Sequence, residues 1–149
     1  MRVDEVPERI VVDASLGLKW VMIEEHSDRA VALGPGRELL TSALFWAESG
    51  NAIATRVRRG DLDDARAEQA FRDLQAVPLQ TRPLDGTSVT AALAIARDLI
   101  HPVYDCCYLA LAIEENSIVV TADRRFQSAV TKHPSLANRV LLLRDILLS

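Results

Sequence analysis

Five short runs of aliphatic and β-branched residues, separated by segments of helical character, constrain this chain more than any other feature. The runs are Arg9-Ile-Val-Val-Asp13, Glu38-Leu-Leu-Thr41, Val77-Pro-Leu-Gln-Thr-Arg-Pro83, Ser117-Ile-Val-Val-Thr121 and Arg139-Val-Leu-Leu-Leu143. Their length and composition predict strands. Helical patterns fill 14–22, 27–33, 44–59, 62–75, 88–100, 103–115 and 124–132. Breakers sit at the joints: Gly34-Pro35-Gly36 before the second strand, and Gly60-Asp61 and His101-Pro102 between helices. Parallel strands need crossover connections, and helices usually supply them. The expected architecture is an α/β fold, a three-layer α/β/α sandwich with a mostly parallel five-stranded sheet.

A chain of 149 residues has the size of one compact domain with a core of its own. No internal repeat or low-complexity tract divides it. No apolar run has the length of a membrane span, and the charged start Met1-Arg-Val-Asp-Glu-Val-Pro-Glu-Arg9 does not read as a signal peptide, so no membrane association and a cytoplasmic location are expected. The net charge of −4 argues against gripping nucleic acid by bulk electrostatics, so any such role must work through a local site. Cys106 and Cys107 are adjacent in an apolar stretch and read as core residues. His26, His101 and His133 share no metal-ligand spacing and read as solvated or capping side chains; no zinc site is expected.

Most acids here keep charged company, as in Glu24-Glu25, Asp61-Leu-Asp63-Asp64 and Glu114-Glu115, the pattern of solvated helix faces and caps. Four do not. Asp13, Glu48, Asp105 and Asp123 are each the only charge in an apolar or small-residue neighbourhood, and carboxylates rarely tolerate such settings unless paired or bound to a cation. Asp13 and Asp123 end predicted parallel strands, at the edge where open α/β sheets place ligands. Were those strands neighbours, their ends would lie about 5 Å apart. Glu48 shares a helix face with Asn51, and Asp105 stands near a helix start. At an effective dielectric near 20, two carboxylates about 4 Å apart repel by roughly 4 kcal/mol, so converging acids imply raised pKa values or a bound divalent cation. Ligation by oxygen alone suits Mg²⁺ or Mn²⁺.

Each acid also has a plainer role open to it. Asp13 and Asp123 fit helix N-caps, and Asp105 fits a first helical turn favoured by the helix dipole. Glu48, among bulky apolar neighbours, is the hardest to explain that way. Taken together, the four point to an active site.

The segments that carry these acids are Val11-Val-Asp-Ala-Ser-Leu-Gly-Leu-Lys-Trp20, Ala47-Glu-Ser-Gly-Asn-Ala52, His101-Pro-Val-Tyr-Asp-Cys-Cys-Tyr-Leu-Ala-Leu-Ala112 and Val120-Thr-Ala-Asp-Arg-Arg-Phe126. On these motifs the sequence resembles the VapC-like PIN-domain toxins from Ile10 to Leu147, with the residues before Ile10 as a short tail. The resemblance implies one PIN domain over 1–149, with 1–8 as that tail, and maps the family's acidic quartet onto the same four residues. It further implies the toxin of a type II toxin–antitoxin pair: an endoribonuclease, homodimeric, held inactive by a VapB-like antitoxin. Departures are the Cys106-Cys107 pair, where small residues are common, and Ser49-Gly50 in the Glu48 helix, where glycine costs about 1 kcal/mol of helix propensity. Neither removes an acid.

The chemistry expected is metal-assisted hydrolysis of RNA phosphodiester bonds. Asp13, Asp105 and Asp123 are candidate metal ligands, and Glu48 a ligand or the group that orients the attacking water. Ser15, Asn51 and Thr121 are candidates to hold the carboxylates by hydrogen bonds, and Arg124 and Arg125 to meet RNA phosphates. The alternative is a catalytically silent PIN-like module that binds RNA or protein, which predicts a missing acid. A phospho-aspartyl phosphatase predicts an acid at Ser15, a receiver domain predicts paired acids near the first strand, and no GxGxxG or P-loop follows that strand.

Overall fold

A computed structural model of the chain describes residues 1–148. Its strands are β1 (Arg9–Val12), β2 (Glu38–Ser42), β3 (Leu79–Arg82), β4 (Val119–Thr121) and β5 (Val140–Leu142), with helices α1 (Ala14–Val21), α2 (Ser27–Ala32), α3 (Leu44–Arg58), α4 (Asp64–Ala76), α5 (Gly86–Leu99), α6 (Val103–Glu114) and α7 (Arg124–Thr131). The sheet order is β3-β2-β1-β4-β5, and every pairing is parallel. The α/β/α sandwich expected from the strand–helix alternation is the fold.

Sheet position follows from composition. Ile10, Val11 and Val12 of β1 and Val119 and Val120 of β4 have no solvent exposure, as central parallel strands require when helices cover both faces. At the edge, β3 is mostly open to solvent, and its run is shorter than expected because Pro78 and Pro83 flank it without a donor for the ladder. Helix starts follow capping chemistry: Asp63 and Asp85 accept the backbone N–H groups of Arg66 and Ser88 at 2.8 and 2.9 Å. α5 therefore begins two residues before the start its periodicity suggests.

Two backbone features bear on the site. A Cβ at Gly17 would stand 2.4 Å from Phe45 Cζ, so only glycine lets α1 pack this closely on the buried Phe45 ring of α3. α5 ends on Ile100 at φ 52°, a left-handed conformation rare for a β-branched residue, which turns the chain sharply into α6. Residues 1–8 are held against the other end of the chain, with Val3 N–H donating to the Leu147 carbonyl and Leu147 N–H to the Met1 carbonyl, both at 2.9 Å. Val6 joins the core. Among the described residues no helix is long and apolar enough to cross a membrane.

Candidate active site

Parallel pairing delivers the strand ends to one edge. Val12 is in register with Val120, so Asp13, just past β1, faces the region where β4 ends in Thr121. Asp13 is 4% exposed, and its carboxylate is fully engaged. Oδ1 accepts from the Leu16 N–H at 3.1 Å and from the Ser15 hydroxyl at 2.7 Å, while Oδ2 accepts from the Thr121 hydroxyl. It is the N-cap of α1 and, at the same time, the bridge between β1 and β4. Ser15 in turn accepts the Ala122 N–H at 3.0 Å, and Thr121 accepts that of Asp123 at 3.0 Å. Ser15 and Thr121 thus tie both strand ends to one carboxylate.

Asp123 caps α7 through Oδ1, which accepts the N–H groups of Arg125 and Phe126 at 2.9 and 3.2 Å. Capping and a functional role do not compete here: the cap fixes one oxygen and leaves the other without a hydrogen bond among the described residues.

Asp105 lies in the first turn of α6, where Oδ2 meets His101 Nε2 at 2.6 Å. The imidazole stacks on Phe126 with ring centroids 5.6 Å apart, and only 12% of its side chain is exposed. The expectation that this histidine is a solvated or capping residue is therefore overturned. The bend at Ile100 and Pro102 swings it back over the helix start, one turn from its partner. Glu48, half-buried on α3, accepts from the Tyr108 hydroxyl at 2.6 Å, so the fully buried tyrosine of α6 joins the two helices. Asp105 Oδ1 and Glu48 Oε2 take no hydrogen bond from the described residues.

Three of the acids are raised above their ordinary range. Burial pushes the Asp13 carboxyl up to about 6, against the pull of its Ser15, Thr121 and Leu16 hydrogen bonds, and the charge of Asp105 pushes it further. Glu48 is raised by burial and by Asp105, with Tyr108 pulling it down. Asp105 is raised by burial and by Asp123, with His101 opposing. Asp105 is therefore the common neighbour. Burial also raises the Tyr108 phenol, and pushes the Cys106 thiol up to about 12, so neither Tyr108 nor Cys106 is a nucleophile. Both cysteines are buried and free, as expected of core residues.

Among the described residues no three acid, histidine or cysteine side chains are already closed to the spacing that holds a metal ion. The acids are near enough to repel, and each is tied to a partner of its own. A donor set of carboxylate oxygens, three of them unengaged, with no nitrogen or sulfur ligand required, suits a hard divalent cation such as Mg²⁺ or Mn²⁺. Asn51 does not join them: it is exposed, and its side chain makes no hydrogen bond among the described residues. His101 and Tyr108 are the contributors that the sequence did not disclose.

The family model described as PIN domain matches residues 10–132, a span that includes all four acids. No curated protein matches the sequence. Among solved structures, a protein of Pyrobaculum aerophilum is similar at 22% identity and TM-score 0.65, over 81% of this chain and 78% of that one. VapC20 of Mycobacterium tuberculosis, described as a sarcin–ricin-loop-cleaving toxin, is similar at 15% identity and TM-score 0.62, over 80% and 94%. FitAcB of Neisseria gonorrhoeae is similar at 20% identity and TM-score 0.60, over 91% and 99%. At these identities the likeness is one of fold.

Proposed function

Because the chain belongs to the PIN-domain family, we propose that it is a metal-dependent endoribonuclease, the toxin of a VapBC-type toxin–antitoxin pair. Asp13, Glu48, Asp105 and Asp123 are its catalytic and metal-binding residues. The observation that carries this reading is that parallel pairing brings Asp13 and the start of α7 at Asp123 to one edge of the sheet, where Asp13, Glu48 and Asp123 are all neighbours of Asp105. The toxin assignment draws on the fold shared with VapC20 and with VapBC complexes from Rickettsia felis and Haemophilus influenzae. The antitoxin, a homodimeric state, a cytoplasmic location and one PIN domain over 1–149 belong to the same proposal.

A Mg²⁺ or Mn²⁺ held by these residues would supply Lewis acidity for activating water and offsetting charge on the phosphate. Asp13, held by three hydrogen bonds, would be the pre-set ligand. Asp105 and Asp123 offer their unengaged oxygens. Glu48, steadied by Tyr108, orients the attacking water or serves as a further ligand. His101 sets the direction of Asp105, as partners of ligating carboxylates do.

The test is cleavage of cellular RNA by the purified protein with Mg²⁺ or Mn²⁺, with EDTA, and with Asp13→Asn, mapping new 5′ ends. Chelator-sensitive cuts at a few sites, absent in the variant, are expected. If wild type and variant are equally inert under every metal condition, the chain is a silent binding module instead.

A further inference from the structure

The net charge of −4 conceals a local reversal. Beside the acid site, α7 and the end of β5 enclose a groove of about 840 Å³ lined by Arg124, Arg125, Lys132 and Arg144, with Asp145 as the only acid. All four cations are exposed, and none has a carboxylate within 4.0 Å among the described residues. Elsewhere, Arg9, Arg56, Arg72 and Arg82 are each paired with a glutamate. The groove is a place where positive charge is collected and left unanswered.

Its geometry is directional. Arg124, Ser128 and Lys132 recur at four-residue spacing and share one face of α7. At 1.5 Å per residue they run about 12 Å from the helix start, where Asp123 sits. Arg144 stands across from them, on the turn after β5, its backbone carbonyl accepting from Arg29. No aromatic side chain lines the groove, so it has no platform for stacking bases. Unpaired cations without stacking surfaces recognise a phosphate backbone and not its sequence.

We infer that this groove is the track for the RNA backbone, leading the strand across the β5 edge of the sheet to the acids, with Lys132 and Arg144 as phosphate-binding residues remote from the cleavage point. The inference rests on the ribonuclease reading for the identity of the polyanion. It also offers a way for an acidic protein with an acidic centre to hold RNA: the groove collects cations on the flank from which the strand is delivered.

The test measures fluorescence anisotropy of a labelled single-stranded oligoribonucleotide with the full chain in EDTA, so that binding is read without cleavage. Lys132→Glu/Arg144→Glu is expected to weaken binding about tenfold or more, while Arg58→Glu/Arg72→Glu, the same charge change outside the groove, stays within about twofold of wild type. Lys132→Ala/Arg144→Ala keeps the exposed surface free of new acids and lowers the slope of log K against log salt by about 1.4, at about 0.7 per lost phosphate contact on a single strand. Unchanged affinity and slope in both groove variants overturn the inference. So does displacement of the RNA by polyglutamate at equal charge concentration, which marks a surface for acidic protein segments. Cleavage assays separate the two proposals. RNA bound through the groove but never cut removes the nuclease and leaves the track; RNA cut with unchanged kcat and KM in the groove variants removes the track and leaves the nuclease.

Discussion

Two charged clusters occupy the same fold and obey opposite rules. Where β1 and β2 begin, Arg9 donates to Glu38 at 2.8 and 3.0 Å and to Glu115 at 2.8 Å, and Arg82 reaches the same Glu115 from the end of β3 at 2.9 Å. Charges alternate there, the Arg9 guanidinium holds Glu38 below its ordinary range, and the carboxylates raise Arg9 in return. Where β1 and β4 end, four acids meet one histidine and, among the described residues, no arginine or lysine within bridging distance, and Asp13, Glu48 and Asp105 are all pushed up. The first cluster is neutralised from within; the second calls for a cation from outside. Charge density alone does not distinguish the two clusters; the internal counter-charge does.

The largest expected effect follows at the centre of the unbalanced cluster. Asp105→Asn removes the charge that both Asp13 and Glu48 feel. RNA cleavage at saturating Mg²⁺ should fall about 10²- to 10³-fold or more, the loss of several kcal/mol of metal-assisted stabilisation. The metal-free protein should be no less stable, because repulsion is relieved. Retention of more than about a tenth of the activity would break the comparison at its main point.

Stability against pH separates the clusters next. Asp13 has a folded value of about 6 against an ordinary 3.8, so the folded state holds this proton more tightly than the unfolded one. Its contribution favours folding at low pH and declines as pH rises from about 4 to about 6, by about 3 kcal/mol at 1.36 kcal/mol per unit. Raised Glu48 and Asp105 add in the same direction. Glu38 is lowered, so its stabilisation is complete above its ordinary 4.5 and is lost as pH falls through the folded value. Denaturant melts in EDTA across this range should show stability falling at both ends. Asp13→Asn, or Mg²⁺ added to wild type, should flatten the neutral limb; an unaltered limb in Asp13→Asn assigns it to other groups.

His101 is the one counterweight inside the acid cluster. Its loss in His101→Ala should lower activity or apparent Mg²⁺ affinity about 10- to 100-fold, with His101→Gln recovering part of it through a retained donor. An equal loss in both variants, with no change in metal dependence, would reduce His101 to a packing residue on Phe126.

The sequence discloses these clusters unequally. Asp13, Asp105 and Asp123 are legible because strand ends and helix starts are local signals, and Glu48 because a lone carboxylate beside Phe45 and Trp46 stands out. The order of the strands is not local: nothing in Val119-Val-Thr121 states that it lies beside β1, and the bond from Thr121 to Asp13 spans 108 positions. Tyr108 reads as one more apolar residue of α6, since its partner Glu48 is 60 positions away. His101 did leave a signal, four residues before Asp105, but Pro102 between them suggested a break, and the left-handed turn at Ile100 that brings the ring back is not one an isoleucine advertises. The Arg9–Glu115–Arg82 network was equally hidden, because its members belong to three separate elements.

The smallest effect tests the balanced cluster. Glu115, 19% exposed, holds both Arg9 and Arg82. Glu115→Gln keeps the shape and removes the charge, leaving two half-exposed guanidinium groups with weaker acceptors. Single exposed ion pairs contribute up to about 1 kcal/mol, and a shared acceptor in this network should cost about that much in a denaturant melt at neutral pH. RNA cleavage should be unchanged, since no acid of the site is touched. A variant that kept its stability but lost activity would show that the two clusters are coupled, and that balance in one is a condition for imbalance in the other.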